Sequence, residues 1–361
     1  MKRLALIPAM VLTLALCFLA CSDTEPINPT EPTQSDTPGL LRGSPAPNLS
    51  ANPAITFIRW YTVFRQGNYT FQVPAVWVMD ANGANPTMVY ANYVFNGRNG
   101  QNSYNYVYDP TWSPNGQKIC FNLAASGMMR DLYTMNISLV NGVPTSSNVT
   151  KICDGAASGG YYRKGVWSPT ANEIAVVFAH NPDPMKIQIV PSTGGTPTTI
   201  YTCASNPDYG LNAFISYSPD GSQIAFNEVQ NSTGYKWLKI LDRATGLVIK
   251  TIDVSQFYVI HGIDWSRTAN SSTVAFSASL SSTGPDNVYT IDVSAGSPTP
   301  VLRKSGGKHP SWSPDDSKFV FLATSWSGGV SSYNGLRTFT LSNSAITNLS
   351  TSNDQYPDWK R

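Results

Sequence analysis

The sequence predicts an all-β chain folded as a six-bladed β-propeller of four-stranded antiparallel blades. Three observations carry that prediction. First, Trp112-Ser113-Pro114-Asn115-Gly116 leads into Lys118-Ile119-Cys120-Phe121, and versions of this stretch recur to the end of the chain. The anchor aromatics Trp112, Trp167, Tyr217, Trp265, Trp312 and Trp359 stand 55, 50, 48, 47 and 47 residues apart. Second, an alternating third-strand pattern occurs six times, as in Leu132-Tyr133-Thr134-Met135-Asn136 and Val288-Tyr289-Thr290-Ile291-Asp292. Third, the two patterns are out of phase. The chain enters at Ala54-Ile55-Thr56-Phe57-Ile58, a second strand with no first, and leaves at Trp359, a first strand with no second. A period of about 50 residues marks a repeat architecture. Joining the two loose ends into one blade removes the edges that an open array would expose.

Each repeat has its own logic. A short strand ends at the anchor aromatic, and Ser-Pro-Asp/Asn-Gly turns the chain, with Pro pre-setting φ and Gly or Asn accepting a positive one. An Ile-Ala-Phe-like strand returns, a third follows about ten to fifteen residues on, and a fourth such as Thr198-Thr199-Ile200-Tyr201 completes the blade.

Before the repeats, Lys2 and Arg3 precede an apolar run from Leu4 to Ala20. It is too short for a membrane span and no stop-transfer pattern follows, so residues 1–20 read as a signal peptide. Its end, Phe18-Leu19-Ala20-Cys21, resembles the lipobox of bacterial lipoproteins, which implies lipidation of Cys21 and a membrane anchor. Ser22 does not resemble an inner-membrane retention signal. Ser22-Asp23-Thr24-Glu25 is similar to surface-export signals of Bacteroidetes-type lipoproteins. The expectation is an outer-membrane lipoprotein facing the periplasm or the cell surface. Residues 21–52, rich in Pro, Thr and Ser, read as a flexible tether, and residues 53–361 as the propeller.

Loss of Lys2 and Arg3 with the signal takes the formal charge from +2 to zero in the mature part. Neither that balance nor any basic run suits nucleic acid, which is excluded as a partner. Cys120 fills the small-residue position of Ala225 and Ala275 and is expected to pack between blades. Cys153 and Cys203 follow fourth strands of consecutive units. An oxidising compartment permits a bond between them, but equivalent positions on neighbouring blades normally stand too far apart; their pairing stays open. No cofactor and no obligate homo-oligomer is expected, and no metal site either, since His180, His261 and His309 lack a metal-ligand spacing.

The repeated Trp-Ser-Pro-Asp-Gly-x-x-Ile-Ala-Phe, with Tyr-x-Met/Ile-Asp in the third strand, resembles the repeats of TolB-like six-bladed propellers (WD40-like, PD40). The match covers nearly all of 54–361. It is strong at 112–121, 217–226 and 312–321, departs at 167–177, where Thr170-Ala171-Asn172 replaces Asp-Gly, and at 265–276, where the turn is longer. The resemblance implies closure by the C-terminal strand and a binding platform in the cell envelope. Related propellers sit beside the hydrolase domain of prolyl oligopeptidase-like peptidases, but no Gly-x-Ser-x-Gly elbow occurs here.

In such a blade the motif turns lie on one face, and the second-to-third and fourth-to-first connections on the other, free to specialise. Those connections are aromatic. Trp60 and Tyr61 open the first long loop, Tyr104 and Tyr106 lie in the 90–109 segment, and Tyr161, Tyr162 and Arg163 precede the third blade. Tyr209, Tyr235, Tyr258, Trp326 and Tyr356 fall in equivalent connections, and His261 and His309 map to the same face. Such rings can stack on sugars or anchor a protein; singly, each can also just cover a blade edge. Asp109, Asp264 and Asp354 are the acids nearest the channel mouth, with Arg163 and Lys308 opposite, yet no paired spacing marks them as catalytic. Asp264, beside Trp265, can hydrogen-bond the neighbouring strand instead. The expectation is a non-catalytic scaffold whose loop face binds an envelope protein. The alternatives are a glycan-binding lipoprotein, or a polysaccharide lyase or glycosidase with converging carboxylates at the channel mouth.

Overall fold

A computed structural model describes residues 52–361, apart from 99, 125–129, 181, 205–213, 230–235 and 328–329. The signal segment, Cys21 and the tether up to residue 51 lie outside the described residues, as do Tyr209 and Tyr235.

Blade 1 holds β1 (Ile55–Gln66), β2 (Tyr69–Met79) and β3 (Thr87–Ala91). A small ribbon, β4 (Tyr93–Val94) and β5 (Ser103–Tyr104), leads into blade 2, made of β6 (Tyr106–Trp112), β7 (Lys118–Ala124), β8 (Arg130–Val140) and β9 (Val143–Cys153). Blade 3 is β10 (Tyr161–Trp167), β11 (Glu173–Ala179), β12 (Lys186–Pro191) and β13 (Thr198–Thr202). Blade 4 is β14 (Ile215–Tyr217), β15 (Gln223–Val229), β16 (Lys236–Asp242) and β17 (Val248–Asp253). Blade 5 is β18 (Val259–Trp265), β19 (Thr273–Ser279), β20 (Asn287–Asp292) and β21 (Val301–Ser305). Blade 6 is β22 (Gly307–Trp312), β23 (Lys318–Ser327), β24 (Val330–Thr340) and β25 (Ile346–Asn348). The last strand, β26 (Gln355–Trp359), pairs antiparallel with β1, Ile55 opposite Trp359, so blade 1 runs β26-β1-β2-β3. The phase mismatch in the sequence is thus resolved by closure, and the innermost strands touch from blade to blade around the ring.

The core is not one nucleus but six layers, each a cluster shared by two neighbouring blades. Second strands such as Ile119-Cys120-Phe121 and Ile174-Ala175-Val176 are therefore buried on both sides, which is why they read as continuous apolar runs. Cys120 packs in the layer between blades 2 and 3, as its small-residue position suggests. Cys153 and Cys203 are free, buried thiols in different layers, and no bond joins them.

The residue before each anchor aromatic stitches the ring. The Trp112 N–H donates to Asp358 Oδ2 at 2.8 Å, Trp265 N–H to Ser216 Oγ at 2.9 Å, Trp312 N–H to Asp264 Oδ2 at 2.8 Å and Trp359 N–H to Ser311 Oγ at 3.0 Å. Thr111 Oγ1 donates across the next junction to the Gly165 carbonyl at 2.8 Å. The sixth position is Val166, which has no group to offer. Asp264 thus does bond the neighbouring strand. A separate lock holds the closure: Arg59 on β1 grips Asp354, just before β26, through two bonds of 2.7 Å, with Asp354 fully buried.

Two connections expected as loops are strands. β1 and β2 continue through Trp60 and Tyr61 to a turn at Gly67, and β23 and β24 continue past Trp326 and Tyr333. The β4–β5 ribbon packs against the first of these hairpins.

Candidate functional site

The mouth of the central channel is built by one backbone feature repeated around the ring. Three residues before the anchor aromatic stand Asp109, Lys164, Gly262, His309 and Tyr356, with φ of 49°, 37°, 62°, 51° and 52°. At these points the pairing with the second strand slips, a β-bulge. Four of the five are not glycine, and a left-handed conformation costs such residues about 1–2 kcal/mol each. Blade 4 puts Phe214 at the same position. Lys164, Phe214, Gly262, His309 and Tyr356 line a cavity of about 30 Å³ that continues down the channel to Asp264, Asp358 and Arg267.

Gly262 is required where it is. A Cβ there would stand 2.7 Å from His309 Cα and 3.1 Å from His309 Nδ1. Gly262→Ala is therefore expected to displace His309 and to cost about 2 kcal/mol or more, measured as a lowered urea midpoint. Ser277, fully buried, ties the two histidine strands together: its hydroxyl donates to the His261 carbonyl and accepts from the His309 N–H at 3.2 Å.

The electrostatics of the mouth favour neutral imidazoles. Burial, then the Lys308 charge, hold the His261 pKa down to about 4 against the pull of Asp286. Burial, His261, Lys164 and Lys308 drive His309 well below its usual range. Lys308 itself is paired with Asp286 at 2.9 Å, and His261 Nε2 lies 3.5 Å from the same carboxylate.

From this mouth a ribbon of rings runs outward over blades 1 and 2. His309 meets His261 (centroids 6.3 Å), Phe214 (5.5 Å) and Tyr356 (4.9 Å). Tyr356 meets Tyr108 (6.5 Å), which stacks on Tyr106 at 5.8 Å and 20°. Trp60 then stands perpendicular to both Tyr104 and Tyr106, at 5.7 and 5.9 Å. Arg130 caps the Tyr108 ring at 4.1 Å, within cation–π range. Tyr106 is 41% exposed, so the ribbon reaches solvent.

The structure therefore gathers Trp60, Tyr104, Tyr106, His261, His309 and Tyr356 of the residues singled out in the sequence. The others stand apart from them. Tyr61 alternates with Trp60 along β1 and packs inward towards Trp77. Tyr162 is a core residue against Phe178, not a surface one. Arg163 is buried under Tyr161, with its guanidinium 5.1 Å from that ring. Tyr258 is exposed on blade 5 beside Lys236, and Trp326 sits on the long blade-6 hairpin. His180 pairs with Asp183 at the rim. Lys164, Gly262 and Asp286 escaped the sequence reading. For the first two a signal existed, the fixed offset of three before each anchor; Asp286 had none. Among the described residues no group of three or more His, Cys, Asp or Glu side chains is gathered to hold a metal ion.

A closed ring of six four-stranded blades, stitched at the anchor aromatics and zipped by its last strand, is a six-bladed β-propeller, similar in fold to the propeller of TolB. Among solved structures, TolB from Acinetobacter baumannii is similar with a TM-score of 0.57 at 15% identity, over 85% of this chain and 66% of that one. This chain thus spans just under two thirds of that TolB's length. A protein assigned as TolB from Agrobacterium tumefaciens gives 0.52 at 16% identity, over 84% of this chain and 90% of that one. An oligogalacturonate lyase in complex with manganese gives 0.45 at 14% identity, over 83% and 74%. Likeness at such identity speaks to the fold alone. No protein-family model matches the sequence, and no curated protein matches it.

Proposed function

We propose that this chain is a non-catalytic binding protein of the cell envelope, anchored through lipidated Cys21 to the outer membrane, whose aromatic loop face holds a protein partner. The observation that carries this reading is the ribbon from Trp60 to His309, part exposed and continuous over three blades. Interlocked aromatics with an arginine cap are the residue types that dominate protein interfaces. The edge-to-face setting of Trp60 on Tyr104 and Tyr106 presents ring edges and clefts, which suit inserted side chains better than the flat face of a sugar. Two of the three acids nearest the mouth are engaged in the fold: Asp264 holds Trp312 and Arg267, and Asp354 holds Arg59.

A glycan is the second reading, favoured by the stacked pair Tyr106–Tyr108 with amides of Asn92, Asn102 and Asn105 on the adjoining ribbon. Capture from detergent-solubilised native membranes, using the full chain and a Trp60→Ala/Tyr106→Ala variant, separates the two. A stoichiometric protein bound by the first bait and reduced at least tenfold in the second is expected. Equal yields with both baits, or soluble polysaccharide retained in place of protein, would reject the protein reading. Retention of Cys21→Ala in the membrane fraction would reject the lipid anchor.

A further inference from the structure

We propose that the aromatic ribbon reads proline-rich segments, and that its resident occupant is the chain's own residues 26–32, which compete there with the partner. The inference rests on the protein-binding reading of that ribbon and adds the chemistry of the segment it holds.

The occupant is written in the sequence. Residues 26–32 read Pro-Ile-Asn-Pro-Thr-Glu-Pro, a proline at every third position. They lie outside the described residues, but the spacing has a physical meaning. A polyproline II helix turns once in three residues, so Pro26, Pro29 and Pro32 form one edge of it, and every carbonyl is left free to accept. That edge is about 19 Å long at about 3.1 Å per residue. The path of ring centroids from Trp60 through Tyr106 and Tyr108 to Tyr356 is of the same length, in steps of 5.9, 5.8 and 6.5 Å.

The ribbon offers what such a segment needs. Trp60 stands at 83° to Tyr104 and 84° to Tyr106, an open corner for a rigid pyrrolidine ring. Aromatic grooves bind proline-rich segments well because the helix is preformed and little ordering entropy is lost. Donors for its carbonyls are at hand. The Trp60 indole N–H and the Tyr108 hydroxyl have no hydrogen-bond partner among the described residues. The Tyr104 and Tyr106 hydroxyls share one bond of 3.2 Å, which leaves one proton to give.

Charge and reach agree with this occupant. From Cys21 to Leu41 the tether carries Asp23, Glu25, Glu31 and Asp36 and no Lys or Arg. The β1–β2 hairpin and the β4–β5 ribbon hold no acid; they carry Arg65 and Arg98, both exposed, and Arg59, which Asp354 pairs. The next acid along the chain, Asp109, is buried at the mouth. The described chain starts at Asn52, held by Lys360 at 2.6 Å, and Trp60 stands on β1 only about 17 Å above Ile55. The stretch from Pro32 to Asn52 spans about 66–72 Å when extended. That is enough to pass outside β2 and β3, each about 4.8 Å wide, and return to Trp60.

The test uses the full chain in detergent, its Pro26→Ala/Pro29→Ala/Pro32→Ala variant, and a synthetic peptide of residues 25–33 as probe, with dissociation constants from ligand-observed NMR. The probe is expected to bind the alanine variant at least about tenfold tighter than the native chain, whose tethered segment fills the groove. Adding Tyr106→Ala, at a ring 41% exposed, is expected to weaken that binding at least about fivefold with an unchanged melting temperature. No binding to the alanine variant, equal binding of a probe with its prolines replaced by alanine, or binding indifferent to Tyr106→Ala overturns the proposal. Equal binding by the native and alanine chains overturns the chain's own segment as occupant. So does a native chain that sediments as a proline-dependent dimer, which would assign the groove to the tether of a second copy. Partner capture is read separately. Capture without probe binding fails this inference alone, and probe binding without a captured partner fails only the broader reading.

Discussion

Asp354→Asn is expected to cost the fold about 3–5 kcal/mol, the usual penalty for removing one partner of a buried ion pair. Asp354 is fully buried, and both its oxygens bind Arg59 at 2.7 Å. That guanidinium also lies over the rings of Phe57 (5.0 Å) and Trp77 (5.2 Å), so the substitution strands a cation inside the layer between blades 1 and 6. The position matters as much as the pair. Asp354 precedes β26, whose docking on β1 is the step that closes the ring. Urea unfolding of the variant should show a lowered midpoint, and the double substitution Arg59→Met/Asp354→Leu should recover much of the loss because no charge is left unpaired. A single-variant loss below about 1 kcal/mol would mean that the lock is incidental.

The second large effect is acid instability. An unfolded imidazole takes up its proton near pH 6.5, whereas His261 in the folded chain resists until about 4 and His309 to lower pH still. Below pH 6.5 the unfolded state therefore binds protons that the folded state refuses. This contribution is fully present above 6.5 and is lost as the pH falls towards 4. Two such groups give a slope of up to about 2.7 kcal/mol per pH unit. Both rings keep some exposed surface, and solvent screening makes about half that slope the expected value. Denaturation midpoints between pH 7 and 4.5 for the native chain and for His261→Gln/His309→Asn decide the matter; parallel curves would place the acid sensitivity elsewhere.

Much of the architecture was legible because a propeller repeats its chemistry. The Ser-Pro-Asp/Asn-Gly turns close as their residues dictate: Ser113 and Ser218 each bond across the turn, with Gly116 and Gly221 at positive φ. The missing first strand at Ile55 and the spare one at Trp359 foretold the closure that pairs them. The extended hairpins were not legible in this way. Trp60 looks like a loop residue because strand length beyond the blade depends on what packs against it, here the β4–β5 ribbon and Tyr106 of the neighbouring blade.

The candidate site divides the same way. The sequence by itself determined the repeat, the number of blades and the face on which irregular, aromatic connections would gather, since these follow from local pattern and turn chemistry. Only the tertiary structure decided which rings meet. Tyr162 and Tyr61 turn inward while Trp60, Tyr106 and Tyr356 line up, because alternation along a strand and the slip of each bulge fix where a side chain points. Lys164 and His309, 145 positions apart in the chain, share one cavity solely because ring closure brings six inner strands to a common axis.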